Sequence, residues 1–148
     1  MVCEEMCGCG LNSKAFKPVN LGIDCTNGTA TANLGNTDIY GNTIKWGAQL
    51  GMPVTFSESG EITSVSICHD GGTGNMLLGV YSDPGGYPSS RLGVTASTLV
   101  SASAGWQTIQ LEVPVPVVSG QKVWLSRVFQ ITPGLRYTSG NPGRGPYR

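Results

Sequence analysis

Charged residues are scarce in this sequence: nine Lys and Arg and nine Asp and Glu, in 148 residues, give a formal net charge of zero. The basic residues are scattered, apart from a small C-terminal group of Arg136, Arg144 and Arg148. Nucleic acids and anionic membranes are bound by clustered Lys and Arg, which neutralise phosphates. We therefore expect neither as a partner.

Long apolar runs are also lacking. No window approaches the roughly 20 apolar residues that a membrane-spanning helix needs, so we expect no membrane insertion. The N-terminal sequence, MVCEEMCGCG, has two Glu where a signal peptide has basic residues, and no apolar segment follows it. The sequence therefore predicts no standard signal peptide.

Blocks of strong helix formers are absent, whereas Gly is frequent, with 22 residues. This composition is typical of short strands joined by turns rich in Gly, Pro and Asn. A chain of this length suits one domain with a real core. We expect an irregular N-terminal arm at residues 1–17 and a single β-sandwich domain at residues 18–148.

Apolar residues alternate with a period of two in residues 61–69, 75–82, 105–113 and 121–129, which predicts half-buried strands. Within residues 61–69, the side chain of Ile62 is predicted to lie on the other face of the strand from those of Val65 and Ile67. Weaker strands are predicted at residues 19–24, 29–34, 43–50, 53–56 and 135–138, and residues 113–116 (VPVP) suit a sheet edge or a crossing between sheets. The fold class is therefore all-β, an antiparallel, jelly-roll-like sandwich. The predicted inward-facing side chains are Val65, Ile67, Met76, Leu78, Val80, Ile109, Leu111, Val113, Val123, Leu125 and Phe129.

Five cysteines are an odd number, so at least one is free or pairs between molecules. Three of them form a C-x3-C-x-C cluster at residues 3–9, which is either a metal site or part of an irregular leader, and its spacing is not that of a standard zinc site. Cys25 and Cys68 can form a disulfide only if their strands meet.

Five motifs between residues 60 and 144 carry a family resemblance: ITSVSICHDGG, NMLLGVYSDPGGYPSSRLGV, GWQTIQL, SGQKVWL and PGLRYTSGNPGR. In their order and spacing they resemble a family of bacterial β-sandwich modules, similar to carbohydrate-binding modules, found in large secreted, surface and virion-associated proteins. The resemblance implies an extracellular or surface-associated location. These motifs mark turns and core strands, and they carry no reaction.

Members of that family continue past the last motif to a final core strand. This sequence stops at Arg148, so we expect that strand to be missing. A sandwich that lacks a strand presents unpaired backbone groups. Residues 19–34 can fill the gap, a neighbouring molecule can do so by strand addition, or the chain is a truncated gene product. We rank completion within the chain first and self-association by strand addition second.

Catalytic chemistry has little support, and we expect no enzyme and no catalytic residue. His69, the only histidine, is followed by Asp70-Gly71-Gly72, which is either an acid–base or metal pair or, as we prefer, a strand end followed by a turn. No G-x-S-x-G is present. Asp70 and Asp83 are weak candidates for a structural calcium ion, and no other cofactor is expected.

Aromatic side chains near strand ends suggest a second type of function. Tyr81, Tyr87 and Trp106, with Asn75 to orient hydroxyls, are candidates for stacking on a polysaccharide, although for Trp106 we prefer packing on the core. Tyr87 lies between Gly86 and Pro88 at a predicted loop tip. We expect a non-catalytic structural or adhesion module of a larger assembly, with a carbohydrate-binding module as the alternative.

Overall fold

The structure, a computed structural model, describes residues 19–24, 31–35, 39–45, 50–137 and 145–146. These residues form strands and connecting turns and contain no helix that could cross a membrane. Twelve strands are present in this part of the chain: β1 (Val19–Asp24), β2 (Thr31–Gly35), β3 (Asn42–Ile44), β4 (Leu50–Thr55), β5 (Gly60–His69), β6 (Asn75–Ser82), β7 (Arg91–Val94), β8 (Thr98–Leu99), β9 (Gly105–Val117), β10 (Lys122–Phe129), β11 (Leu135–Tyr137) and β12 (Gly145–Pro146).

Two six-stranded antiparallel sheets pack against each other, which confirms the predicted all-β sandwich. The first sheet has the order β2-β1-β5-β11-β3, and β9 also pairs with β5. Because β1 and β9 both pair along β5, they lie on its two opposite sides. The second sheet has the order β12-β4-β10-β6-β7, with β8 also paired to β6.

The core lies between the sheets and is built from the alternating apolar residues of the long strands. Each strand contributes every second side chain, as the period of two predicts. Leu78 and Val80 of β6 and Val123 of β10 are completely buried. The core cluster from the long strands comprises Ile62, Val65, Ile67, Met76, Leu78, Val80, Ile109, Leu111, Val115, Val117, Val123 and Leu125, and Phe129 packs against it.

Two predictions of side-chain direction are wrong, and both errors arise from irregular pairing between β5 and β9. Ile62 lies in the core, because the register shifts between Ile62 and Ser64 and so resets the alternation. Val113 is exposed, since residues 111–114 leave the ladder: Ile62 pairs with Val115, while Ser64 pairs with Gln110.

The same excursion of β9 joins the two sheets along one side. Leu111 forms an isolated antiparallel bridge with Thr95, and the Thr95 backbone N–H donates to the carbonyl of Leu78 in β6. Val115 and Pro116 themselves pair with β5, the one strand in the described residues to which β9 pairs, so residues 113–116 lie at an edge of the first sheet, the first of the two predicted alternatives.

Arg127 points into the sandwich from β10, on the same face as Val123 and Leu125. Its side chain is 3% exposed, and its guanidinium carbon lies 5.9 Å from the centre of the Phe129 ring. Burial lowers the pKa of Arg127 to about 9, because the charged form loses its hydration.

Several weaker predictions hold with adjusted bounds. β1 occupies the predicted residues, whereas Gly51, predicted to separate two strands, lies inside β4. Near the C-terminus, β12 pairs with Leu50 and Gly51 of β4. The Cys68 thiol is buried and free, and burial raises its pKa. Residues 1–17 and Cys25 lie outside the described residues.

Candidate functional site

The predicted ligand-binding residues do not form one site. Asn75 and Tyr81 lie at opposite ends of β6, roughly 20 Å apart at the usual rise per strand residue. Both point away from the core, because Met76, Leu78 and Val80 point into it. Tyr87 follows in the loop after β6, near the end that carries Tyr81. Trp106 lies in β9 of the other sheet, opposite Cys68.

The loop at residues 83–90 is held in place by the carboxylate of Asp83. Oδ1 accepts hydrogen bonds from the backbone N–H groups of Gly85 and Gly86. Oδ2 accepts from the indole Nε1–H of Trp124 at 2.9 Å and lies 3.7 Å from the Nζ of Lys122. The hydrogen bond from Gly86, then that from Trp124, the positive charge of Lys122 and the hydrogen bond from Gly85, lower the pKa of Asp83 against the opposing effect of burial.

The base of this loop is closed by hydrogen bonds between its two ends. The N–H of Ser82 donates to the carbonyl of Ser90, and the N–H of Ser89 donates to the carbonyl of Ser82. The Ser82 hydroxyl accepts a further hydrogen bond from the N–H of Ser90. The Tyr87 side chain remains 58% exposed at the tip. A fixed loop therefore presents one aromatic ring to solvent.

Asp70 and Asp83, the predicted calcium ligands, are separated by the length of β6. Its eight residues span roughly 26 Å, whereas carboxylates that share a calcium ion each lie about 2.4 Å from it. Asp70 instead pairs with Arg136, with 2.5 Å between Oδ1 and Nε. No group of three His, Cys, Asp or Glu lies together in the described residues. The structure does not bring the two predicted ligands into one site.

His69 is buried at the end of β5, and both of its ring nitrogens are occupied. Nδ1 accepts a hydrogen bond from the N–H of Gly71, so Nε2 carries the proton and donates to Oε1 of Gln107 at 2.9 Å. Gln107 Oε1 also accepts from the N–H of Ser101, and its Nε2 donates to the carbonyl of Leu99. His69 therefore fastens the loop at residues 70–74 to β9 and the segment before it.

Sequence reasoning missed an exposed apolar surface near the start of β6, here called the apolar patch: Leu77, Leu99, Val128 and Ile131. Leu77 and Val128 are direct neighbours across β6 and β10. Leu99 lies opposite Asn75, and Ile131 lies beside Gly74, the residue before β6. The available signal was the presence of apolar residues on both faces of β6 and β10.

A shallow groove of about 320 Å³ runs through this patch. Leu77 and Val128 line it together with the polar side chains of Ser97, Asn75 and Gln130. Two hydrogen bonds join the first residue of β6 to the residue after β10: the N–H of Asn75 donates to Oε1 of Gln130, and the N–H of Gln130 donates to the carbonyl of Asn75. The outer face of the second sheet thus has an apolar end and, at the other end, the Tyr87 loop.

Comparison with known proteins identifies no relative: no family model, curated protein or solved structure matches the chain.

Proposed function

We propose that this chain is a non-catalytic structural or adhesion module, a building block of a larger extracellular or particle-surface assembly. The observation that carries this proposal is the apolar patch. The face of an antiparallel sheet that points to solvent normally carries polar side chains, and contiguous exposed apolar side chains mark interaction surfaces. The extracellular setting is supported by the resemblance of the sequence motifs.

The hydrogen bonds and the ion pair of the titratable side chains support a structural role for these side chains. His69 fastens two loops, Asp70 pairs with Arg136, and Asp83 holds the Tyr87 loop. Each group thus stabilises a turn next to a core strand. A general acid or base must instead lie within hydrogen-bond reach of a substrate.

The proposal is tested by measuring assembly and ligand binding on the full chain. We expect light scattering to show concentration-dependent association, and we expect a glycan array to give no signal. Hydrolysis of a sugar polymer that is lost in Asp70→Asn or Asp83→Asn, with the fold retained, would overturn the proposal.

Carbohydrate binding is the second candidate, and the Tyr87 loop favours it. Asp83 and the Ser82–Ser90 hydrogen bonds fix the loop before any ligand arrives, which lowers the entropic cost of binding. A flat exposed phenol ring can stack on a sugar face.

This candidate is tested with Tyr87→Ala and its matched control, Tyr87→Phe. If the ring stacks on sugar, binding on a glycan array is lost in the Ala variant and retained in the Phe variant. Both variants should keep the wild-type melting temperature, because the side chain is exposed. Equal glycan signals from the wild type and Tyr87→Ala would exclude this loop as the site.

A further inference from the structure

We propose that two copies of this chain associate face to face through the apolar patch, about a two-fold axis. The inference rests on the proposed function, for which it names the partner and the surface. It differs from strand addition, because the contact is made by outward-pointing side chains and leaves the backbone edges unused.

The exposure of the patch is the first argument. Leu77 and Val128 stand directly opposite each other on neighbouring strands and are 40% and 48% exposed. Leu99, opposite Asn75, and Ile131, next to Gly74, are more exposed still. Removing these side chains from water together favours association, since the gain is proportional to the apolar area that is covered.

The charge distribution argues for a second copy as the occupant. The residues that line the groove carry no charge, whereas Asp83, Arg91 and Lys122 lie towards the other end of the same sheet. In a two-fold contact a surface meets itself, so any charge near the axis faces its own like charge. An uncharged patch avoids this repulsion, and it offers nothing to a strongly charged partner.

The polar residues of the groove also suit contact with a copy. The side-chain amide of Asn75 contains a donor and an acceptor, so it can pair with the equivalent amide of the second copy, whereas Oε1 of Gln130 already accepts from the Asn75 N–H. A polysaccharide fits less well, because Phe129, the ring among the groove residues, packs against the core and is not presented for stacking.

The patch is small, so the association should be weak and reversible. Interfaces below about 1,200 Å² are typical of transient complexes, and we expect a dissociation constant on the order of 10–100 μM. A test must therefore reach concentrations well above this range.

The experiment is sedimentation equilibrium of the full chain, from about 5 μM to about 1 mM, with Leu77→Lys and Val128→Lys. Each variant places a charge in the patch, and we expect each to raise the dissociation constant at least about tenfold. The matched control is Leu92→Lys on β7, since Leu92 is also 40% exposed but lies outside the patch. It should leave the dissociation constant within about twofold of the wild type.

Folding of each variant is checked by circular dichroism and thermal melting. If a Lys variant does not fold, Leu77→Ser and Val128→Thr replace it, with a smaller rise of the dissociation constant expected. A wild type that stays monomeric at the highest concentration would overturn the inference. Association that the patch variants leave unchanged would also overturn the inference. The proposed function would then depend on a different surface of the chain. Glycan binding lost in the patch variants, without association, would assign the groove to a saccharide and contradict both.

Discussion

Asp83 is the residue on which the Tyr87 loop most depends. Its carboxylate accepts two backbone N–H groups and the Trp124 indole N–H, and these bonds are strongest when it is ionised. In Asn one of the two oxygens is replaced by an NH2 group, so either the two backbone N–H groups or the indole N–H loses its acceptor. We expect Asp83→Asn to lower the free energy of unfolding by about 1–2 kcal/mol near neutral pH, measured by urea denaturation.

The pH dependence of this contribution follows from the lowered pKa of Asp83. The unfolded chain takes up the proton near pH 3.8, before the folded chain does, so acid favours the unfolded state. The stabilisation is complete above the unfolded pKa and is lost as the pH falls through the lower folded pKa. Below about pH 4, the free energy of unfolding of Asp83→Asn should therefore fall less steeply with falling pH than that of the control Glu112→Gln, which changes an exposed carboxylate. Equal slopes for the two variants would contradict the assignment.

Gly71 is a second residue whose identity is fixed by its surroundings. Its φ is +85°, and an added Cβ would lie within 3 Å of the backbone carbonyl of Ala102. Gly120 has a similar φ of +82° with open space around it. Gly120→Ala should cost about 1 kcal/mol from backbone strain alone, while Gly71→Ala should cost about 3 kcal/mol or more, because the clash adds to the strain. Equal costs in thermal or urea unfolding would rule out the steric effect.

At the scale of single elements, β4 carries a feature that limits strand addition. The N–H of Phe56 donates to Gln121, so by alternation Val54 and Met52 direct their backbone groups towards β10. Pro53 therefore faces the opposite edge, where β12 pairs only with Leu50 and Gly51 in the described part of the chain. A proline at that position has no N–H to offer an incoming strand.

We expect Pro53→Val to increase self-association, because it restores a backbone donor at this edge. The control is Thr55→Val, which adds a similar apolar side chain on the same face without changing the donors. Light scattering and thioflavin fluorescence at equal concentration compare the two variants. If they aggregate to the same extent, the effect comes from hydrophobicity and the proline does not protect the edge.

The strands show what a sequence pattern can and cannot predict. Alternation in β6 and β10 placed Leu78, Val80 and Val123 correctly, because pairing there is regular and each strand has one face on the core. Ile62 and Val113 were placed wrongly, since the irregular pairing of β5 with β9 depends on the partner strand and leaves no local mark. Alternation alone fails wherever register shifts.

The candidate site likewise has one part that the sequence predicts and one part that it does not. The turn at Asp83 and the exposed ring of Tyr87 were predictable, because Asp-Pro-Gly-Gly specifies a turn by its own chemistry. The apolar patch was not, since alternation places Leu77 and Val128 on the outer faces of their strands but does not show whether another part of the chain covers them. Their exposure is decided by what the rest of the chain leaves uncovered.

For the molecule as a whole, the N-terminal strands determine whether the first sheet is complete. β1 pairs with β5 from Glu61 to Ile67, and β2 lies outside β1. Without them, one side of β5 would have a long row of unpaired backbone groups next to the core strands. Pairing of β1 within the chain is therefore a direct contribution to the stability of the sandwich.

A chain that lacks residues 1–35 should accordingly lose stability and aggregate, whereas one that lacks only residues 1–17 retains β1 and should melt as the full chain does. A synthetic peptide of residues 18–35 should restore a monodisperse species to the shorter chain by adding the strand in trans. Light scattering with and without the peptide makes the comparison. A folded monomer of unchanged melting temperature, after removal of residues 1–35, would mean that β5 does not need β1 and that the sandwich is stabilised from its other strands alone.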